Sequence, residues 1–300
     1  MYTKAEKEQI ERLKTSPAYL RAYEDVAFLH REDLRPVRLQ LELLKPELML
    51  QEQGIVSTIV VFGSTRTIEE TDIRPIVKNL EERAAAAPKN KALAAELAIA
   101  KRLLAKSRYY EEAREFARLV TSACQVDGQC DYVIVTGGGP GIMEAANRGA
   151  QDGGGKSVGL NITLPEEQFP NPYITPELSF QFHYFAIRKM HFMMRAKAMV
   201  AFPGGYGTMD ELFETLTLVQ TGKVKSLPVI LFGREFWSRA IDFPYLRDEG
   251  VIAPQDLDLF RFAETAREAW DKIQEYYRNR GETLVTARPA RRRGRKRNKG

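Results

Sequence analysis

Several short apolar runs in this chain end in a turn rich in glycine or serine, and a helical pattern follows each turn. The three clearest pairs of run and turn are Ile55–Phe62 with Gly63–Ser64, Tyr132–Thr136 with Gly137–Gly141, and Ala198–Phe202 with Gly204–Thr208. Runs this short and this apolar are typical of strands buried on both faces. Their alternation with helices predicts an α/β fold, in which helices cover both faces of a parallel sheet.

The same patterns divide the chain into three parts. Residues 1–50 read as a helical N-terminal extension, with one helix from Ala5, a second from Ser16 to about His30, and an apolar stripe from Leu34 to Leu44. Residues 51–284 are expected to form the main domain, and residues 285–300 a basic, disordered tail. Further strands of the main domain are expected at Ser157–Ile162, Leu178–His183 and Leu227–Phe232, and a final helix over 264–279.

Charge and composition exclude several classes of protein. The net charge is +5, but Arg288–Gly300 carries eight of the positive charges and no acid, so the rest of the chain has a net charge of −3. The tail either solubilises the chain or contacts nucleic acid.

Two cysteines and three histidines argue against a disulfide framework and a metal centre. Because no apolar run approaches the ~18 residues that span a bilayer, we expect no membrane segment and a cytoplasmic location.

The glycine-rich turns point to a phosphorylated ligand. Open α/β sheets bind ligands beyond the carboxyl ends of their strands, and glycine lets backbone N–H groups approach an anion at the start of a helix. No turn supplies the lysine of a Walker loop, and Ile142 stands where the dinucleotide fingerprint that starts at Gly137 needs glycine. The sequence therefore favours a mononucleotide.

Two side chains near these turns have alternative interpretations. The segment Thr208–Glu211 matches a capping box, in which Thr208 caps the helix and Glu211 reaches back to it. Alternatively, the Glu211 carboxylate faces the sugar of a bound nucleotide. Arg188, in a predicted helix over 184–196, is either a solvated surface residue or the cationic partner of that carboxylate.

The turn Pro203–Glu211 reads Pro-Gly-Gly-Tyr-Gly-Thr-Met-Asp-Glu, and the pair Arg188–Lys189 stands fifteen residues before its proline. Together with Gly137–Ala146 and Phe62–Ser64, these motifs resemble those of the Lonely Guy (LOG) family of cytokinin riboside 5′-monophosphate phosphoribohydrolases. The resemblance covers about residues 55–235. It implies a Rossmann-like fold and hydrolysis of a nucleoside 5′-monophosphate, AMP or a cytokinin riboside monophosphate, to free base and ribose 5-phosphate.

Carried over residue by residue, the resemblance implies Arg188 and Glu211 as the catalytic pair. The residues it implies for substrate binding are Ser64, Gly138, Gly139, Gly141, Glu144, Lys189, Gly204, Gly205, Gly207 and Thr208. It implies no cofactor and no metal ion. Plant-type members have Met-His-Glu where this chain has Phe185–Ile187, so we expect base recognition to differ. The helical extension and Glu144 resemble a longer bacterial subgroup, which implies a homo-oligomer, either a dimer or a hexamer.

Two other functions compete with hydrolysis as interpretations of the sequence. The same turns also suit a non-catalytic carrier for a phosphorylated nucleotide or a pterin-type ligand. Lysine decarboxylation, a label long attached to the family, is rejected. That chemistry ordinarily needs pyridoxal phosphate on a Schiff-base lysine, and nothing in the sequence marks Lys189 or Lys197 for that role.

Overall fold

The computed structural model of the chain describes residues 2–126, 128–165 and 169–281. Its strands are β1 (Thr58–Phe62), β2 (Val133–Thr136), β3 (Ser157–Ile162), β4 (Ser179–Phe182), β5 (Ala196–Ala201), β6 (Val229–Phe232) and β7 (Phe260–Ala263). Its α-helices are α1 (Lys4–Lys14), α2 (Val26–Leu29), α3 (Arg35–Glu52), α4 (Glu70–Ala86), α5 (Lys91–Lys106), α6 (Arg108–Cys124), α7 (Ile142–Asp152), α8 (Phe185–Met194), α9 (Tyr206–Gln220), α10 (Arg234–Ala240), α11 (Phe243–Asp248) and α12 (Ala266–Arg278).

The strands form one parallel sheet in the order β4-β3-β2-β1-β5-β6-β7, with helices on both faces. The predicted α/β, Rossmann-like class is therefore confirmed.

Strand β1 shows why the sequence of a central strand is an unbroken apolar run. Ile59 and Val61 enter a core shared with α6, α7 and α12, whereas Val60 and Phe62 enter a second core shared with α3, α8 and α9.

The direction of winding changes at β1, which lies between β2 and β5. Such a change opens a crevice at the carboxyl edge of a parallel sheet, where ligands bind in this class of fold. Two backbone hydrogen bonds join the turns around this crevice. The N–H of Ser64 donates to the carbonyl of Pro203 at 3.0 Å, and the N–H of Ile142 donates to the carbonyl of Ser64 at 3.1 Å. All three predicted turns therefore meet at one place.

Helix α3 of the N-terminal extension packs against the sheet and holds both ends of α8. The Glu42 carboxylate accepts hydrogen bonds from the N–H groups of His183 and Tyr184, at 2.8 and 3.1 Å, where α8 begins. Beyond the last turn of α8, the guanidinium of Arg195 makes a bidentate ion pair with Glu47. Helix α8 is therefore fixed by two carboxylates of the same neighbouring helix.

Two parts of the predicted secondary structure are wrong. The helix expected from Ser16 to about His30 is broken into a 3-10 turn, Pro17–Tyr19, and the short α2. Asp25 starts α2 anew by accepting from the N–H of Phe28 at 2.9 Å, and exposed side chains in this segment leave a longer helix unsupported. Strand β7 was not predicted, because the exposed Arg261 interrupts its apolar pattern at the sheet edge.

The division into three parts stays a prediction. The boundary expected between residues 50 and 51 falls inside α3, and the basic tail, Arg288–Gly300, lies outside the described residues. Within the part of the chain that the structure describes, no helix combines the length and apolar character needed to cross a membrane.

Gly149 lies where α7 packs closely on α6, which leads to a stability prediction. Alanine is normally about 1 kcal/mol better than glycine inside a helix. Here, however, a Cβ atom on Gly149 would lie 1.9 Å from the backbone oxygen of Arg114 and 3.0 Å from the Cβ of Ala117. We expect Gly149→Ala to lower the free energy of unfolding by about 1–3 kcal/mol, measured by urea denaturation.

Gly207→Ala is the matched control, because a Cβ atom on that helical glycine meets nothing within 4 Å. We expect this variant to be as stable as the wild type or more so. A Gly149→Ala protein that keeps wild-type stability would contradict the packing described here.

Candidate active site

A cleft of about 460 Å³ lies at the carboxyl ends of β1 and β5. Its lining comprises Phe62, Gly63, Ser64, Thr65, Arg66, Met143, Phe185, Arg188, Gly205, Gly207, Thr208, Asp210 and Glu211. The cleft coincides with the crevice at which the winding of the sheet changes.

The structure brings Arg188 and Glu211 together at this cleft. Nη1 of Arg188, on α8, lies 3.9 Å from Oε1 of Glu211, on α9. The side chains are only 11% and 9% exposed, so their charges interact in surroundings poor in water. The separation exceeds hydrogen-bonding distance, and both groups therefore keep bonding capacity for a ligand.

The backbone and the core hold Arg188 in place. Its Nε donates to the carbonyl of Leu160 at 2.6 Å, and its guanidinium lies 5.0 Å from the ring centroid of Phe192. A Cβ atom on Gly137 would lie 2.6 Å from Nη2 of Arg188, so a glycine makes room for the guanidinium. Burial lowers the pKa of Arg188 while the charge of Glu211 opposes that shift, and arginine stays charged at physiological pH.

Burial has the opposite effect on Glu211. It raises the pKa of this carboxyl to about 7, and the positive charges of Lys189 and Arg188 oppose the shift. Glu211 therefore changes its protonation state near neutral pH. A carboxyl with such a pKa in a cleft is a common mark of an active site.

Lys189 does not line the cleft. It lies about 100° from Arg188 around α8, and its ammonium contacts the carboxylates of Asp210 at 2.8 Å and Glu214 at 3.3 Å on α9. Burial lowers the pKa of Lys189, but the hydrogen bond that its ammonium donates to Asp210 and the charges of Glu211 and Glu214 raise it overall. Lys189 therefore connects α8 to α9 outside the cleft that Arg188 and Glu211 line.

The start of α9 corrects the predicted capping box. The helix begins at Tyr206, with Gly205 as its N-cap, and has no side-chain cap, so Thr208 lies inside the first turn. Cβ atoms on Gly205 and Gly207 would meet nothing within 4 Å, whereas one on Gly204 would lie 2.1 Å from the Thr208 hydroxyl. The side-chain space at Gly205 and Gly207 is therefore open beside the cleft, and the first amides of a helix, which have no partner within it, suit an anion.

The second glycine-rich turn supports the cleft from outside its lining. Gly138 and Gly141 have φ angles of 77° and 73°, and a Cβ atom on Gly141 would lie 2.4 Å from the carbonyl oxygen of Ser64. The buried amide of Asn171 donates to the carbonyls of Gly138 and Gly139 at 3.1 and 3.0 Å. The turn therefore fixes the backbone on which Ser64 sits.

Of the remaining predicted residues, Ser64 lines the cleft and Glu144 faces away from it. The Ser64 hydroxyl accepts from the N–H of Arg66 at 3.1 Å and so shapes the turn after β1. Glu144 accepts from the hydroxyl of Tyr110, on α6, at 3.0 Å. Among the described residues, those lining the cleft do not include Glu144.

Sequence reasoning missed several residues of the lining. Arg66 and Met143 each stand two residues after the end of a predicted turn, and this closeness in sequence was an available signal. Phe185 is half exposed and lies one helical turn before Arg188. Asp210 also reaches the cleft, although its carboxylate pairs with Lys189.

Comparison with known proteins agrees with these motifs. The chain is 30% identical over 149 residues to a cytokinin riboside 5′-monophosphate phosphoribohydrolase LOG of Arabidopsis thaliana, covering 48% of this chain and 67% of that protein. It is 29% identical over 156 residues to a probable enzyme of the same name from Oryza sativa subsp. japonica, covering 48% and 68%. The chain belongs to the LOG family.

A family model described as "Possible lysine decarboxylase" matches residues 143–273 of this LOG family member. Among solved structures, the molybdenum cofactor carrier protein of Chlamydomonas reinhardtii is similar at 17% identity and a TM-score of 0.42, covering 73% of this chain and 96% of that one. A TM-score of 0.42 supports no inference about the ligand.

The decarboxylase description does not fit this LOG family site. A Schiff-base lysine must lose its proton, which desolvation and a neighbouring cation promote. Lys189 instead contacts two carboxylates, and its pKa is raised. Lys189 therefore does not fit the role of a pyridoxal phosphate lysine, and no lysine is among the described residues that line the cleft.

The raised pKa of Glu211 predicts how stability depends on pH. The folded protein holds a proton to about pH 7, whereas the unfolded chain releases it near the ordinary value of 4.5. The folded state is therefore not penalised below about pH 4.5, its relative stability falls between pH 4.5 and about pH 7, and the penalty stays constant at higher pH. We expect Glu211→Gln to match wild-type stability at pH 4 and to exceed it at pH 8.5 by up to about 3 kcal/mol.

Chemical denaturation of both proteins at the two pH values measures this difference. Glu275→Gln, at an exposed position of α12, is the control and should change stability little at either pH. If Glu211→Gln were less stable than the wild type at pH 8.5, the carboxylate would be stabilised in the folded state, contrary to this account.

Proposed function

We propose that this protein hydrolyses the N-glycosidic bond of a nucleoside 5′-monophosphate and releases the free base and ribose 5-phosphate. The observation that carries the proposal is the buried pair at the cleft, in which Arg188 lies 3.9 Å from Glu211. The names of the relatives support the same reaction class, since they are phosphoribohydrolases of cytokinin riboside 5′-monophosphates.

Glu211 carries the chemistry in this proposal. As the glycosidic bond breaks, positive charge develops on C1′ and the ring oxygen of the ribose. An ionised carboxylate beside the sugar stabilises that charge and orients the attacking water, and burial strengthens the attraction. With a pKa of about 7, Glu211 is substantially ionised at neutral pH.

The start of α9 anchors the 5′-phosphate. Its free amides and the open space at Gly205 and Gly207 accommodate an anion, and each favourable contact with a helix N-terminus contributes about 0.3–1 kcal/mol. Glu211 lies five residues beyond Tyr206, or roughly 7 Å along the helix axis. One helix can therefore bind the phosphate and present a carboxylate to the ribose, so that binding energy remote from the reacting bond positions C1′.

Arg188 and the apolar wall complete the site. The fixed guanidinium of Arg188 orients Glu211 and binds the ligand, a role for which a planar, permanently charged group is suited. Phe185 and Met143 give the cleft apolar surface against which a planar base can pack. AMP and the cytokinin riboside monophosphates both carry an adenine ring, and both are proposed substrates.

A carrier for a phosphorylated ligand is the alternative. A carrier needs the phosphate subsite but has no use for a carboxyl that titrates near neutrality beside the sugar. The pKa of Glu211 therefore favours hydrolysis over carriage.

Mononucleotide hydrolysis is the direct test. AMP and isopentenyladenosine 5′-monophosphate should release free base, followed by chromatography, and adenosine should be a poor substrate because it lacks the phosphate. Glu211→Gln should reduce kcat by about 100- to 1,000-fold and still bind AMP. Glu275→Gln, far along the chain on α12, should keep wild-type rates.

Two outcomes would contradict the proposal. Tight binding of AMP without release of base from either nucleotide would indicate a carrier. Wild-type turnover by Glu211→Gln would remove this carboxylate from the reaction.

The pH–rate profile tests the electrostatic account of the site. If the ionised carboxylate is required, kcat/KM should fall as pH decreases below about 7. Because the charge of Lys189 lowers the pKa of Glu211, Lys189→Met should move this acidic limb to higher pH. Lys225→Met removes a cation from the surface groove that Lys189 also lines and should leave the limb in place. A limb that Lys189→Met leaves unchanged or moves to lower pH would contradict this assignment.

Three further expectations stay predictions. The homo-oligomeric state can be measured by light scattering, and the cytoplasmic location by cell fractionation. Contact between the basic tail, Arg288–Gly300, and nucleic acid predicts a steep salt dependence of binding that deletion of the tail abolishes.

A further inference from the structure

A second cleft, of about 890 Å³, lies beside the carboxyl end of β6. Its walls come from the last turns of α5, the first turn of α6, and α10. It shares no lining residue with the cleft that holds Arg188 and Glu211. The proposed hydrolysis therefore does not use it.

The charge of this second cleft is unusual for the chain. Four cations line it, Arg102, Lys106, Arg108 and Arg239, against the single acid Glu235. The chain outside its tail has a net charge of −3. The cleft is therefore a local concentration of positive charge on a mildly acidic body.

Two of these cations have no acidic partner. Arg239 pairs with Glu235 at 3.5 Å and Arg108 with Glu264 at 3.4 Å, both on the exposed rim. Among the residues that the structure describes, no carboxylate lies within ion-pair distance of Arg102 or Lys106. Both side chains thus keep their full capacity to bind an anion.

Aromatic rings contact two of the four cations, Lys106 and Arg108, at the wall of the cleft. The ammonium of Lys106 lies 5.4 Å from the ring centroid of Phe236, and the guanidinium of Arg108 lies 4.6 Å from that of Tyr109. A Cβ atom on Gly233 would lie 2.6 Å from the Tyr109 hydroxyl, and the φ angle of this glycine is 84°. Tyr109 therefore packs closely against Gly233. The aromatic contacts order Lys106 and Arg108 before a ligand binds.

We propose that this second cleft binds a small polyanion with at least two adjacent phosphoryl groups. Two of the cations have no acidic partner and the other two are paired only at the exposed rim, so positive charge from three different helices matches a ligand whose negative charge is spread over several oxygens. The cations surround a concave space and do not form an extended stripe, which favours a compact ligand over a nucleic acid. The proposal concerns binding alone, and only the use of ribose 5-phosphate in its test rests on the proposed function.

Titration calorimetry of the full chain with inorganic pyrophosphate tests this proposal. Ribose 5-phosphate is added at saturating concentration, so that the cleft at α9 is occupied and cannot account for the signal. Wild-type protein should bind pyrophosphate, and the double variant Arg102→Ser/Lys106→Ser should bind it at least about tenfold more weakly.

The control is Lys78→Ser/Arg83→Ser, which removes the same charge from exposed positions of α4 outside the cleft. It should leave the affinity within about twofold of wild type at fixed ionic strength. Equal weakening by both double variants would show a general charge effect and overturn the proposal. Absence of pyrophosphate binding, or displacement of pyrophosphate by ribose 5-phosphate, would overturn it as well.

Discussion

Arg188 and Glu211 lie together with little exposure to water, and this arrangement sets what the surrounding structure must supply. Each buried charge loses several kcal/mol of hydration, and at 3.9 Å no direct hydrogen bond between the two groups replaces it. Arg188 is compensated by the Leu160 carbonyl and the Phe192 ring, and Glu211 partly by retaining a proton. The two groups therefore do not neutralise each other fully, and a ligand can complete the interactions of both.

The two glycine-rich turns contribute to this site in different ways. The turn before α9 leaves space at Gly205 and Gly207, where a ligand can approach the helix amides. In the turn after β2, neighbouring protein atoms occupy the space beside the glycines. Its glycines avoid close contacts with Asn161, Ser64 and Arg188, and Asn171 holds two of its carbonyls. Glycine thus admits a ligand in one turn and admits neighbouring protein atoms in the other.

Much of the sheet was predictable because burial on both faces leaves an unbroken apolar run, as in β1. The approach of Arg188 to Glu211 followed from motif resemblance, and no local pattern alone indicates that distance. The resemblance implies Lys189 for substrate binding, but adjacent residues of a helix point about 100° apart, and its ammonium contacts Asp210 and Glu214 instead of lining the cleft. Arg66 and Phe185 reach the cleft only through the order of the strands, which brings together turns that are distant in the sequence.

Two carboxylates of α3 bind the two ends of α8, and this makes the N-terminal segment important for the site. Glu42 and Glu47 lie 141 and 148 residues before their partners, outside the glycine-rich motifs, yet they set the position of the helix that carries Arg188. A shortened protein that starts after α3 would keep every strand and every glycine turn and still lose both anchors of α8. The N-terminal segment is therefore better regarded as scaffold of the site than as an appendage, because the position of Arg188 depends on a helix that contributes no residue to the lining of the cleft.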